Sequence, residues 1–329
     1  MTAYPAYRPF AATVRRVLRM SPHLVRVTFA SDDFGVLGTS GRDQRVKLLL
    51  PGPDGRVCEV GARDDRTLLD GSWYARWRAL PDAERTPFRT YTVRCARPER
   101  GELDVDMVLH APEDAAPEGP AATWLRLLLT GEVPIGSEVV VVGPDARTAD
   151  PTVGLDFRPG SARHVLLVGD ETALPAICAI VEQLPADVRA QAFIEVPGTA
   201  DVLNVFPTGR SRVAWLARDA GCETAEGFWA VAPHGVLLTQ AVRQWVARHM
   251  RQVASVVRST PDELEDVDVD AELLWDSPLD PQTGDFYAWV AGEAGTVKTV
   301  RRHLVTEVGV DRAHVAFMGY WRRGRAESQ

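Results

Sequence analysis

The chain has 329 residues, of which 45% are apolar and 25% charged. That length suits two domains, and the mix is globular, which excludes collagen, a coiled coil or a disordered chain. With 37 Lys and Arg against 45 Asp and Glu the formal charge is -8, so a broadly basic nucleic-acid binder is not favoured.

The opening residues MTAYPAYRPFAATVRRV hold no apolar stretch ahead of a small-residue cleavage site. No apolar run nears the ~20 residues of a transmembrane helix. These features predict a soluble cytoplasmic protein with no membrane insertion. Strands are predicted over residues 10–20 and 23–30, parted by Ser21-Pro22, and over 44–50, which ends at Pro51-Gly52-Pro53-Asp54-Gly55. Further strands are predicted over 89–95, 103–109 and 138–142. Leu103, Asp104, Val105, Asp106 and Met107 alternate with period two, as in a half-buried strand. The one strong helical pattern in this half is 121–130, with Trp124, Leu125, Leu128 and Leu129 on one face. Six strands and one helix predict an antiparallel barrel over residues 1–150.

The second half changes character after a Pro-, Gly- and Asp-rich boundary at 143–163. Buried strands are predicted at 164–168, 192–196, 213–216, 286–291 and 314–318. Helical patterns lie between them: to about Leu184, across 235–258 and across 295–307. This alternation predicts a parallel sheet with helices on both faces over 160–329. Residues 259–285 interrupt it. From Asp262 to Asp285 there are ten acids and neither Lys nor Arg; without them the net charge moves from -8 to +2. An exposed, partly flexible insertion is expected. A calcium loop at Asp266-x-Asp268-x-Asp270 is rejected, because the sixth position is Ala271 and the twelfth Ser277.

The most informative segment is Arg89-Thr90-Tyr91-Thr92-Val93-Arg94. Such a strand makes a plausible flavin cradle: Tyr91 covers a ring face, Thr92 bonds its edge, and the planar Arg89 and Arg94 match a pyrophosphate. An ordinary strand with exposed Arg and Thr explains the hexapeptide equally well. Gly119 to Thr123 opens the lone helix, and free amides at a helix N-terminus form an anion site; plain N-capping is the alternative. Gly169-Asp170-Glu171-Thr172 follows the first strand of the parallel sheet, where doubly wound sheets bind ligands. It lacks a full G-x-G-x-x-G.

The hexapeptide resembles the R-x-Y-[ST] flavin motif of ferredoxin–NADP reductase-like enzymes. More narrowly, it resembles the R-x-Y-T-x-R form of siderophore-interacting proteins, which are FAD-dependent ferric-siderophore reductases. Five further stretches match that family in order: Asp106-Met107-Val108-Leu109-His110, Gly119-Pro120-Ala121-Ala122-Thr123-Trp124, residues 167–176, Trp289-Val290-Ala291-Gly292-Glu293-Ala294 and Gly319-Tyr320-Trp321-Arg322-Arg323-Gly324. The departures are Thr123 where the family has Ser, and Ala111 with a longer acidic loop where it has a Gly after the His. The resemblance implies an N-terminal six-stranded FAD-binding barrel followed by a parallel-sheet NAD(P)H-binding domain.

It further implies FAD contacts from Arg89, Thr90, Tyr91, Thr92, Val93, Arg94, Val108, His110, Ala121, Ala122, Thr123 and Trp124. NADPH or NADH would meet Gly169, Asp170, Glu171, Thr172, Ala173, Glu195, Arg218, Gly292 and Glu293. In this scheme Thr172 caps the following helix and Glu195 binds an adenosine ribose, whereas Arg210, Arg212 and Arg218 could instead attract a 2′-phosphate. Tyr320 and Trp321 would cover the flavin or the cofactor cleft, or anchor the C-terminus. Arg45, Lys47, Arg42 and Arg89 on or near barrel strands are substrate candidates, with Arg322, Arg323 and Arg325 in the tail as further contributors. The implied activity passes electrons from NAD(P)H through FAD to chelated Fe(III), in a monomer acting on a ferric siderophore, with a ferredoxin-type donor as an alternative electron source. No protein nucleophile or metal site is needed. The four cysteines, Cys58, Cys95, Cys178 and Cys222, are far apart, which excludes an iron–sulfur reductase. A general flavin or ferredoxin-type reductase, and a non-enzymatic siderophore binder, are the other readings.

Overall fold

The structure is a computed structural model that describes residues 4–38, 40–52, 54–109, 119–223, 228–258, 274–280 and 283–324. It divides into two compact units between Leu155 and Asp156. The first holds β1 (Tyr7–Ser21), β2 (Leu24–Ala30), β3 (Arg45–Leu49), α1 (Asp65–Asp70), α2 (Trp73–Ala79), β4 (Phe88–Arg97), β5 (Glu102–Val108), α3 (Pro120–Thr130) and β6 (Glu138–Pro144). The six strands close into an antiparallel barrel in the order β1-β2-β5-β4-β3-β6. Inward-facing Phe10, Phe29, Val46, Leu48, Leu103 and Val105 fill it, and Trp124 of α3 packs on Phe29 with ring centroids 6.5 Å apart.

Two differences from expectation have physical causes. The helices α1 and α2 lie where no element is predicted. In α2, Trp73 and Trp77 stand four residues apart and bury against Leu49, Val140 and Val142 on the outer barrel face, so tertiary burial stabilises a helix too short to form alone. In β5 the acids are buried with the apolar residues, because neighbouring strands cover them with cations. Arg97 forks onto Asp104 at 2.7 and 2.8 Å, and Thr28 donates to the same carboxylate at 2.7 Å. Burial alone would raise the Asp104 carboxyl, but Arg97 and Thr28 together hold it below its ordinary value.

The second unit holds β7 (His164–Gly169), α4 (Leu174–Val181), β8 (Arg189–Val196), β9 (Arg212–Ala217), the short pair β10 (Cys222–Glu223) and β11 (Trp229–Ala230), α5 (Val236–Arg248), α6 (Met250–Val253), β12 (Trp275–Asp276), β13 (Phe286–Glu293), α7 (Ala294–Arg301) and β14 (Val315–Trp321). The main sheet runs β12-β14-β13-β7-β8-β9. All its pairings are parallel except that of β12 with β14, so the sheet is mixed at one edge.

That edge comes from the acidic segment and corrects the expectation of an exposed insertion for its last part. Leu274 is buried in the core, and Asp276 accepts from Arg301 and Arg312, each at 3.0 Å. Residues 259–273 lie outside the described residues. The pattern over 235–258 is also not one helix. It breaks at His249, whose backbone leaves helical geometry (φ -121°) and whose ring stacks on Trp245 at 4.7 Å. Among the described residues no helix is long and apolar enough to cross a membrane.

Candidate functional site

In the first unit the Arg89–Arg94 hexapeptide lies within β4. Arg89 pairs with Leu48, Tyr91 with Val46, Thr90 with Lys47 and Thr92 with Arg45. Paired residues share a sheet face, so Arg89, Tyr91 and Val93 lie on the side of the barrel core, and Thr90 and Thr92 on the other. Tyr91 is half-buried against that core and Val93 belongs to it. Thr90 is exposed and Thr92 buried. Arg89 donates to the Phe88 carbonyl at 2.8 Å. Arg94 stands at a register shift between Val93 and Cys95, where an unopposed residue is re-aimed.

Arg94 is partnered there. Its Nε lies 3.8 Å from Asp106, which is fully buried and already forked by Arg26 at 2.7 and 2.8 Å. Asp106 thus sets a buried carboxylate beside Arg94. Val108 closes β5, half-buried. His110 lies outside the described residues.

Helix α3 begins at Pro120 with Gly119 as N-cap, and no side chain caps it. The Thr123 amide and hydroxyl both turn back to the Gly119 carbonyl, at 3.1 and 3.3 Å. Ala121 and Ala122 are half-buried in the first turn. Trp124 is buried, and its Nε1 has no hydrogen-bond partner among the described residues. Of the substrate candidates, Lys47 donates to Thr90 at 3.4 Å and sits 4.8 Å over the Phe88 ring, while Arg45 is half-buried at the start of β3.

In the second unit the carboxyl ends of the parallel strands converge on Asp170, 1% exposed. Its carboxylate accepts from the Thr172 amide (2.9 Å) and hydroxyl, from the Glu293 amide (2.8 Å) and from Trp321 Nε1 (2.9 Å). It thereby ties the loop after β7 to the last residues of β13 and β14. Gly169 and Gly292 are needed for this closeness. A Cβ on Gly169 would lie 2.4 Å from that of Ala173, and one on Gly292 2.6 Å from Asp170 Oδ2. The sequence predicts Thr172 as the cap of α4, but its hydroxyl is spent on Asp170, and Ala173 is the N-cap. Glu293 instead caps α7, accepting from the Thr296 amide at 2.8 Å.

Glu195 is fully buried, which corrects the expected ribose contact. One oxygen accepts from the Gly235 amide at 2.7 Å and the other from the Leu238 amide at 3.1 Å, so it caps α5. Burial pushes this carboxyl up, against the Gly235 amide, the nearby His234 and Arg218. Arg218 is not a free phosphate ligand either. It forks onto Glu171 at 3.1 and 3.2 Å and reaches Glu195 at 3.4 Å. Burial works against the Arg218 charge, but the two carboxylates together raise its pKa. Arg210 and Arg212 stand at the opposite, amino-terminal end of β9.

Tyr320 stacks on Trp275 at 5.9 Å and meets Trp289 edge-on at 6.3 Å, so it packs within this unit. Arg322 follows half-buried, and Arg325 lies outside the described residues. One residue missed from sequence is His234. Its side chain is 8% exposed and faces Asp170 at 3.5 Å and Glu171 at 4.0 Å, with its ring edge-on to Trp321 at 5.3 Å. The available signal was Pro233-His234-Gly235 just ahead of an amphipathic helix.

Comparison with known proteins accounts for both units. Residues 13–148 match the model of a siderophore-interacting FAD-binding domain, and residues 162–324 that of the siderophore-interacting protein. The chain belongs to the siderophore-interacting protein family. A crystal structure of the family member SipS from Aeromonas hydrophila shares 26% identity and superposes with a TM-score of 0.62, covering 98% of this chain and 94% of that one. The ferric vibriobactin reductase ViuB of Vibrio cholerae is 24% identical over 94% of this chain and 87% of its own. An uncharacterized protein of Mycobacterium tuberculosis is 29% identical over 94% of this chain and 88% of its own.

Proposed function

We propose that the chain is an FAD-dependent oxidoreductase that takes electrons from NADH or NADPH and reduces the iron of a ferric siderophore. The observation that carries the flavin part is α3. Within the segment matched by the FAD-binding model, an eleven-residue helix opens with no side-chain cap. Uncapped amides are what a pyrophosphate-bearing ligand satisfies. The amides of Ala121 and Ala122 would hold it, with Arg89 and Arg94 supplying charge, Tyr91 a ring face, and Thr90, Thr92 and Val108 the surrounding wall, backed by Val93 and Trp124 in the barrel core. His110 belongs to this set by resemblance.

When bound, FAD supplies hydride acceptance from a nicotinamide and single-electron release. The chain's own residues bind and orient. Asp106 sets a buried carboxylate beside Arg94, and Asp170 ties the loop after β7 to the last residues of β13 and β14 in one rim for the dinucleotide, which includes Gly169, Glu171, Thr172, Ala173, Gly292 and Glu293. Trp321 is held on that rim by its bond to Asp170, while Tyr320 anchors the C-terminal strand. The substrate's hard oxygen ligands hold Fe(III) well and Fe(II) poorly, so reduction loosens the metal. Arg45, Lys47 and Arg322 are assigned to attraction of the anionic chelate.

The test is to incubate FAD-loaded protein with a nicotinamide, a ferric siderophore and an Fe(II)-trapping chelator. Coloured Fe(II) complex formed in proportion to protein supports the assignment. Flavin that bleaches while iron stays ferric leaves a general flavin reductase. Protein that binds no FAD ends both readings.

A further inference from the structure

Resting on that reading, we infer that the second unit selects a nicotinamide donor without a 2′-phosphate, NADH over NADPH, and that Glu171 and Asp219 are the residues that enforce it. In doubly wound sheets the adenosine ribose lies beyond the carboxyl end of the second strand, beside the third. Here those ends are Val196 of β8 and Ala217 of β9. The rim between them is anionic. Asp219 is exposed and accepts from the Thr199 amide at 2.8 Å and hydroxyl at 2.9 Å. A Cβ on Gly198 would lie 2.8 Å from its Oδ2. Asp201 is buried just behind, bonded to the Gly198 amide at 3.1 Å. Glu171 and Glu195 flank the same rim through Arg218.

Among the described residues Arg218 is the cation placed there, and Glu171 and Glu195 already occupy it. Arg212 opens β9 and lies roughly 17 Å from its carboxyl end, at about 3.3 Å per residue; Arg210 precedes it. Arg322 follows β14, separated from β8 by β13 and β7, about 14 Å at roughly 4.8 Å per strand. Arg243 is forked by Glu307 at 2.7 and 3.1 Å. A phosphate dianion at the rim would therefore meet carboxylates with no unspent guanidinium, a repulsive element that discriminates between ligands.

A cavity opens beside this rim, at the starts of α5 and α7. His234 Nε2 is buried 3.5 Å from Asp170 Oδ2 with no hydrogen bond among the described residues, and the side chain borders this cavity of about 510 Å³, shared with Gly235, Thr239, Gln240, Glu293 and Thr296. That cavity lies between the first turns of α5 and α7, where Glu195 accepts from the Gly235 and Leu238 amides and Glu293 from the Thr296 amide.

The experiment has two arms on FAD-loaded protein. Calorimetry compares 5′-AMP with its 2′-phosphorylated counterpart, and anaerobic flavin bleaching compares NADH with NADPH. We expect the unphosphorylated ligand to win by about tenfold or more in both, since like-charge contacts cost at least that much. Asp219→Asn and Glu171→Gln should each narrow the ratio severalfold, while Arg212→Ala should leave it unchanged. Equal or reversed preference, with flavin bleached by both donors, overturns the inference and spares the proposed function. So does an Arg212→Ala variant that loses NADPH use. If neither donor bleaches a flavin that dithionite does bleach, the nicotinamide reading itself fails and the inference falls with it.

Discussion

Gly292→Ala probes the junction that Asp170 holds together. Gly292 sits at φ +139°, a conformation L-residues rarely adopt, at a register shift between β13 and β14. Forcing a side chain there costs about 1–3 kcal/mol in the backbone. The new Cβ would also lie 2.6 Å from Asp170 Oδ2 and 2.8 Å from its Cγ, so the carboxylate must move. Its bonds to the Glu293 amide and Trp321 Nε1 run through that same oxygen. Losing both adds about 1 kcal/mol each. The expected total is about 3–5 kcal/mol for the second unit, read by urea unfolding with linear extrapolation. An Asp170→Ala background separates the two parts: with the carboxylate gone, Gly292→Ala should cost only its backbone share. A loss below about 0.5 kcal/mol in the parent protein, or an equal loss in both backgrounds, would refute the reasoning.

In the barrel, Asp104→Asn should cost about 1.5–3 kcal/mol at neutral pH through lost charge-assisted bonds to Arg97. Because folding lowers the Asp104 pKa below 3.8, its contribution is present above that pH and fades as pH falls further, so parent and variant should converge in acid unfolding curves. Glu307 is held at about 2, below its ordinary 4.5, first by Arg243 and then by His303; a carboxyl titration by NMR should show that midpoint, rising in Arg243→Ala. Arg94→Ala should weaken FAD binding by about tenfold or more, the equivalent of one charge-assisted hydrogen bond, and unchanged flavin occupancy would remove Arg94 from the site.

Local pattern was enough for the barrel strands and the second unit's sheet, because β-branched and apolar runs bury wherever they fall. What local pattern missed depends on distant partners. Asp104 and Asp106 look solvent-facing by period, yet Arg97, Thr28 and Arg26 on other strands bury them. Glu195 looks like a ribose ligand at a strand end, but α5, some 40 residues on, brings the Gly235 amide onto it. Arg218 reads as a free cation until Glu171 is seen against it. The helix α2 was short enough to hide, although Trp73 and Trp77 carried the signal. The end of the acidic segment became a strand because Arg301 and Arg312 neutralise Asp276.

The central claim is that electrons pass through this protein to chelated iron. Holoprotein reduced anaerobically with NADH should be mixed rapidly with a ferric siderophore while flavin absorbance and trapped Fe(II) are followed together. Flavin should reoxidise at the rate Fe(II) appears, with two Fe(II) per flavin and a rate above that of free reduced FAD. Iron that stays ferric, or a rate no greater than that of free FAD, would contradict it.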